Sequence, residues 1–508
     1  MSLIHKKGKP KILIVTPEIT YLPDGMGNLA NTLRAKAGGL ADVSASLVAA
    51  LYRAGADVHV TLPHYRRMFH VEVGNLISNE LRVYMSHLPD TRVHLAEDRI
   101  FYYRDTVYGS YSDDSFRSAL AFEREVINNI IPDVQPDIIH CNDWMTGLIP
   151  ALARRIGIPC LFTVHNIHTQ KTTLDVIEDR GIDAAEFWQG LYFEHQPINY
   201  EESRSGNPVD FLTSGIFAGH FINTVSPTFL KEIVDGRHDF VPPQIQREIA
   251  QKYYAGCASG ILNAPDENDR PERDPHLTVH YGKDDLAAGK AANKEQLQKA
   301  LGLDVDPAAP ILFWPSRLDP VQKGCQLLAE IMFDMVSRYY RDHLQIAVVA
   351  NGAYSSIFRN IAAFHDMQGR VAVRDFDETL SRVGMAGSDF LLMPSRFEPC
   401  GLPQMEGQFY GTLPIVHDTG GLHDTVEPLD MGRHTGNGFR FENYDSNGLA
   451  WAIGEAMQFY RRPAAEKNAE LVRIMGEAEK RFNHDVTADA YIGIYESMLD
   501  RPLIVRPK

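Results

Sequence analysis

The sequence predicts an α/β fold built of two doubly wound, Rossmann-like domains. Strand-like apolar runs alternate with helical patterns in the first half: Ile12–Val15, Val58–Leu62, Asp137–His140, Cys160–Val164 and Phe221–Val225. The alternation then breaks and restarts with Ile311–Trp314, Ile346–Val349, Val371–Val373, Phe390–Met393 and Leu413–Val416. Two successive βα series call for two parallel sheets with helices on both faces. The 508-residue length also favours more than one core.

Each element has its own justification. Residues 39 to 53 place Leu40, Val43, Leu47, Ala50 and Leu51 on one face, which is helical spacing. Asn263 to Pro275 (NAPDENDRPERDP) is polar and holds three prolines, so it is expected to be an interdomain linker or exposed loop. Val486 to Leu499 reads as a final helix. The expected division is 1–262, an N-terminal domain serving the acceptor; 263–485, a C-terminal domain serving a donor; and 486–508, a helical tail packing back on the first domain.

Composition narrows the function. Fifty Lys and Arg stand against 66 Asp and Glu, a formal net charge of −16. That argues against nucleic acid or an anionic membrane as a partner and leaves a neutral polymer open. The five cysteines are odd in number and widely spaced, with no Cys/His cluster, so neither zinc nor a disulfide frame is expected. No apolar run nears the ~20 residues of a membrane span, and Ile12–Val15 is too short for a signal peptide. A cytoplasmic protein is expected; oligomeric state is left open.

Chemistry concentrates after the strands. Ala35-Lys36-Ala37-Gly38-Gly39-Leu40 follows the first strand and opens a helix. Paired glycines, a helix N-terminus and a lysine suit a phosphate, although a plain strand–helix turn has the same look. Gly25, Gly27 and Ala30 imitate a dinucleotide fingerprint but lie too far from the strand, beside Pro23 and Asp24. Val164-His165-Asn166 and Asn142-Asp143-Trp144 offer groups that hydrogen-bond sugar hydroxyls, or serve only structure. Ser316-Arg317-Leu318 and Gln322-Lys323-Gly324 put two cations at a strand end, where they would stabilise a departing diphosphate or form a solvated pair.

The strongest signal is Phe397-Glu398-Pro399-Cys400-Gly401-Leu402, followed eight residues after Glu398 by Glu406 and then by Thr419-Gly420-Gly421-Leu422. The strand before it delivers Glu398 to the carboxyl edge of a sheet, where α/β proteins bind ligands. Glu406 is expected two turns along the following helix, on the same face as Glu398. The glycine pair is expected to supply backbone N–H groups to an anion.

These segments, with Tyr108-Gly109-Ser110-Tyr111, Thr224-Val225-Ser226-Pro227, Pro394-Ser395-Arg396 and Tyr410-Gly411-Thr412-Leu413-Pro414, resemble the bacterial glycogen/starch synthase family over nearly the whole chain. These are retaining glucosyltransferases of the GT-B fold (glycosyltransferase family 5), whose two Rossmann-like domains face across a cleft. The resemblance implies transfer of glucose from ADP-glucose to the nonreducing end of an α-1,4-glucan such as glycogen, with no metal and no cofactor. By matching positions, Arg317 and Lys323 would hold the diphosphate. Lys36 and the Gly38, Gly39, Thr419, Gly420 and Gly421 loops would join them. His165, Asp143 and Glu398 would surround the glucosyl ring, Phe376 would stack on the nucleobase, and Glu406 would bind ribose hydroxyls.

The chain departs from the family in several places. Ala37 replaces a threonine or valine, an insert spans Leu22 to Thr32, and one extra residue separates Leu318 from Gln322. Asn263-Ala264-Pro265-Asp266 lacks a second glycine, and Asn142 and Met145 stand where many members have histidines. A UDP-glucose-using or small-acceptor GT-B enzyme, and a non-catalytic glucan-binding protein, are the alternatives.

Overall fold

A computed structural model describes residues 8–23, 25–26, 33–37, 39–69, 92–108 and 112–504, with the side chains at 112 and 113 excepted. Gly38, Gly109, Ser110, Tyr111, and Asp24 and residues 27–32 of the insert lie outside the described residues. The chain forms two compact units. One comprises Met1–Val225, Leu230–Ile261 and His484–Lys508; the other, Ser226–Phe229 and Leu262–Asn483.

In the first unit, β1 (Lys11–Val15), β2 (Asp57–Pro63), β3 (Val93–Ala96), β4 (Ile138–Asn142) and β5 (Cys160–Val164) enter one sheet. β6 (Lys171–Thr172) and β7 (Val209–Asp210) form a separate antiparallel pair. β8 (Phe221–Thr224) and β9 (Ala258–Gly260) complete the main sheet, ordered β3-β2-β1-β4-β5-β8-β9 and parallel throughout. β4 and β5 are buried at every position, as strands covered on both faces must be. The edge strands β3 and β9 escape a sequence reading because His94 interrupts one and the other is only Ala-Ser-Gly.

The helix His484–Leu499 belongs to this first unit, far from it in sequence. Its Tyr491 hydroxyl accepts from the Asn223 side-chain amide at 3.0 Å. Its Tyr495 hydroxyl meets His140 Nδ1 at 2.8 Å. Burial holds His140 down to about 3, so its ring is neutral and bonds Thr163 Oγ1 through the other nitrogen at 2.6 Å. His140, next to the Asn142-Asp143 pair in sequence, is therefore a core histidine.

The second unit repeats the plan with β10 (Ile311–Trp314), β11 (Gln345–Val349), β12 (Val371–Arg374), β13 (Phe390–Met393), β14 (Leu413–His417) and β15 (Phe439–Phe441). Their order, β12-β11-β10-β13-β14-β15, is again fully parallel. Both sheets therefore reverse strand order beside their first strand, at β1/β4 and at β10/β13, and the crevice at such a switch point is where doubly wound sheets bind ligands.

Residues 263–275 follow directly on the boundary between the two units and are exposed at Glu267, Asn268, Glu272, Arg273 and Pro275, but other positions are docked. Asn263, Ala264 and Asp274 are buried, and the Asp274 carboxylate accepts from the Tyr410 hydroxyl at 2.5 Å. The segment is docked because its polar side chains find partners within the second unit. Ser226–Phe229 joins that unit for a similar reason. The Asp424 carboxylate accepts from Ser226 Oγ, the Thr228 N–H and Thr228 Oγ1 at 2.5, 3.1 and 2.6 Å.

Candidate active site

In the first unit, Asp143 follows β4 at the switch point, with φ 58° and ψ −178°. That conformation costs a side-chain-bearing residue about 1–3 kcal/mol and persists only where the surroundings enforce it. The enforcement is visible. Asp143 Oδ1 accepts the backbone N–H groups of His165 (2.7 Å) and Asn166 (3.4 Å), and Oδ2 accepts from Asn166 Nδ2 at 3.0 Å. Burial raises the Asp143 carboxyl to about 7, the N–H donors oppose this, and the Glu18 charge adds to it. Asp143 thus holds the loop after β5 in place; both its oxygens are engaged by that loop.

His165, on that loop, contacts Asn142 Oδ1 through Nε2 at 2.9 Å. Asn142 gives its amide nitrogen to the Val15 carbonyl at 3.1 Å, so its oxygen faces the histidine. Burial lowers His165 to about 3. The ring is therefore neutral with its proton on Nε2, and Nδ1 is left as the acceptor. Asn142, a departure from the family pattern, is what selects this tautomer.

Glu18 is the residue the sequence reading missed. It follows β1, is 1% exposed, and takes the Ala37 N–H at 2.6 Å and the Tyr108 hydroxyl at 3.3 Å on its two oxygens. The signal was available: Thr16-Pro17-Glu18 puts a carboxylate directly at the end of a buried strand. Lys36 pairs with Asp42 of the helix Gly39–Arg53 at 2.9 Å, and Thr20 Oγ1 donates to the other Asp42 oxygen at 2.7 Å.

In the second unit the switch point carries an ion pair. Lys323, from the loop after β10, donates to Glu398 Oε2, from the loop after β13, at 2.6 Å. Their side chains are 11% and 8% exposed. Ser395 Oγ donates to the same oxygen at 3.1 Å. The loop that holds the extra residue is shaped by Asp319 Oδ1, which accepts the N–H groups of Val321 and Gln322 at 2.8 Å each. Gly324 then turns with φ 70°, and a Cβ there would stand 2.0 Å from the Pro394 carbonyl oxygen, so only glycine lets the two loops meet. Arg317 is exposed, and Phe376 is 54% exposed after β12 with its N–H on Asn351 Oδ1 at 3.0 Å.

Two expectations need correction. Glu398 and Glu406 do not share a helical face. The helix begins only at Pro403, after Gly401 with φ 73°, so Glu398 lies on the preceding loop. Glu406 faces a different cation, lying 3.9 Å from Arg382 Nη1. Gly421 is not an anion donor either. Its N–H donates to the Glu398 carbonyl at 2.9 Å, and added Cβ atoms at Gly420 and Gly421 would lie 2.1 and 2.0 Å from the Glu398 and Cys400 carbonyl oxygens. The pair is glycine so that two backbones can touch. Thr419, buried, precedes it as the N-cap of Gly420–Thr425.

The sequence model of the starch synthase catalytic domain matches residues 11–241, and that of group 1 glycosyl transferases matches residues 309–458. A protein of Exiguobacterium sibiricum named Glycogen synthase is 33% identical over 489 residues, covering 91% of this chain and 95% of its own. One of Syntrophotalea carbinolica with the same name is 33% identical over 499 residues, covering 92% and 96%. The chain belongs to the glycogen/starch synthase family. It is accordingly a glycosyltransferase, and its fold is GT-B. Among solved structures, the catalytic domain of Starch Synthase IV from Arabidopsis thaliana, bound to ADP and acarbose, superposes with a TM-score of 0.74. It is 25% identical and covers 97% of this chain and 100% of its own. Sucrose-phosphate synthase from Thermosynechococcus elongatus shares the fold, with a TM-score of 0.57 at 17% identity over 97% of this chain and 100% of its own.

Proposed function

We propose that this glycosyltransferase acts in the cytoplasm, transferring glucose from ADP-glucose to the nonreducing end of an α-1,4-glucan with retention of configuration. It would need no metal or cofactor beyond the sugar nucleotide. The carrying observation is the Lys323–Glu398 pair at the β10/β13 switch point, a shielded cation beside a carboxylate. Lys323 Nζ has three donors and gives one to Glu398, so two serve a phosphate oxygen. Arg317, exposed at the end of the same strand, supplies the second cation. Charge that builds on the leaving diphosphate is met by both, which is the term that lowers the barrier most.

On this reading the departing phosphate takes the proton of the glucan hydroxyl that attacks from the same side. Glu398 stabilises the electron-poor anomeric centre without bonding to it. The exposed Phe376 ring stacks on the base, and Glu406 binds the ribose. His165, neutral, accepts a hydrogen bond from a hydroxyl of the glucosyl ring on Nδ1. The relatives named Glycogen synthase support the acceptor, and the ADP in the Arabidopsis structure supports the donor.

Comparing kcat/KM for ADP-glucose and UDP-glucose on glycogen tests the donor: the ratio should favour ADP-glucose, and the reverse rejects that preference. Transfer to glucose or another small acceptor in place of glycogen would overturn the acceptor. A glucosylated Glu398 peptide seen by intact mass would replace the same-side route with a covalent one.

A further inference from the structure

Segment 263–275 packs against the rest of the second unit through charged side chains at several points. Asp269 Oδ1 meets Arg382 Nη2 at 2.7 Å, the Arg270 guanidinium lies 3.7 Å from the centre of the Phe409 ring, and Asp274 bonds Tyr410. All three contacts fall around the helix Pro403–Phe409, which carries Glu406, and Glu378–Gly387, which carries Arg382. Asp269, Arg382 and Glu406 are each only 15–17% exposed at the side chain.

The guanidinium stands between the two carboxylates. Nη2 is held by Asp269. Nη1 is buried, makes no hydrogen bond among the described residues, and lies 3.9 Å from Glu406 Oε2. A buried guanidinium nitrogen without a hydrogen bond is costly and asks for a reason. Burial, with the Glu406 charge second, pushes the Asp269 carboxyl up, and Arg382 draws it back down, so two acidic side chains share one cation. Asp266 adds to that negative field, while Asp274 and Tyr410 flank Arg382.

We propose that Asp269 and Arg382 are positioning residues for the nucleotide end of the donor. Anchored by Asp269, the Arg382 guanidinium sets a cation 3.9 Å from Glu406 Oε2, and that charge holds the Glu406 side chain where it accepts from the ribose hydroxyls. This rests on reading Glu406 as the ribose ligand. An opposite charge about 4 Å away favours the charged form of a carboxylate, and a guanidinium anchored on its other side gives that charge a fixed place. The segment that joins the two strand series thereby acts on donor affinity through a contact made outside the reacting atoms.

The test is calorimetric titration of the full chain with ADP and with 2′-deoxy-ADP. The unaltered chain should bind ADP about tenfold or more tighter than the deoxy compound, the usual weight of a hydrogen bond to a charged group. That ratio should fall toward one in Asp269→Asn, Arg382→Gln and Glu406→Gln, and recover in part in Arg382→Lys. Adding Arg382→Gln to Glu406→Gln should weaken ADP no further. Donor KM should rise in the single variants with little change in kcat, which a general loss of structure would not produce. An undiminished ratio in both Asp269→Asn and Arg382→Gln overturns the proposal while leaving Glu406 on the ribose. No discrimination by the unaltered chain overturns the ribose reading and the proposal together.

Discussion

At the scale of single residues, the decisive feature is that Lys323 and Glu398 satisfy each other before any donor arrives. Removing one partner of a shielded ion pair strands the other, at a cost of about 3–5 kcal/mol. Lys323→Ala should therefore lose stability in urea unfolding as well as turnover, the latter by a factor on the order of 10²–10³. Arg317→Ala should lose turnover similarly but keep stability within about 0.5 kcal/mol, because its side chain is exposed. Equal stability of both variants would contradict the pairing. Asp143 gives a pH signature. Its carboxyl is raised to about 7 from an ordinary 3.8, so the folded chain holds a proton that the unfolded chain releases. Stability from this group is full below about 3.8 and is lost as pH rises toward and through 7. The decline in Tm between pH 5 and 8 should flatten in Asp143→Asn; an unchanged slope would show that another group titrates.

At the scale of elements, the site depends on loops brought into backbone contact at glycines. Gly324→Ala would force a side chain into a left-handed turn against the Pro394 carbonyl, and should cost about 3 kcal/mol or more, read from the urea midpoint. Gly421→Ala should do the same and also break the N–H bond to the Glu398 carbonyl, lowering turnover through Glu398. Near-unchanged unfolding of either variant would mean that the loops separate readily. The strands were legible because burial on both faces writes continuous apolar runs, and helices because a one-face apolar stripe repeats at helical spacing; residues 39–53, read as a helix, form one over Gly39–Arg53. The loops were legible only as composition. The residue types of Glu398, Lys323 and Glu406 marked them as chemical, but spacing along the chain could not say which charge meets which. Glu406 went to Arg382 and the Gly421 N–H went to a carbonyl because of backbone turns at Gly401 and Gly420, which leave no periodic trace.

At the scale of the whole molecule, each unit is assembled from segments distant in sequence. The last helix completes the first unit through Tyr491, Tyr495 and the Arg53–Asp485 pair. Tyr495→Phe should cost about 1 kcal/mol by stranding a His140 nitrogen. A chain ending at Asn483 should destabilise the first unit much more, while hydrogen exchange in β10–β15 stays as protected as before. Uniform loss of protection in both sheets would show that the tail supports the whole chain. Among the described residues no helix is long and apolar enough to cross a membrane.

The sequence by itself determined that there are two doubly wound series, where their central strands lie, and which strand ends carry cations, carboxylates and a histidine. It could do so because hydrophobic period and residue type are local properties. Tertiary structure alone decided the pairings: Glu18 with Ala37 and Tyr108, Asp143 with the backbone of His165 and Asn166, Lys323 with Glu398, and Asp269 with Arg382. Each joins groups on separate elements, except that Asp269 comes from a proline-rich segment whose docking no local pattern announces. Such contacts depend on how loops turn once their strands are aligned, and a hydrogen bond or ion pair is fixed by distances that sequence spacing does not contain.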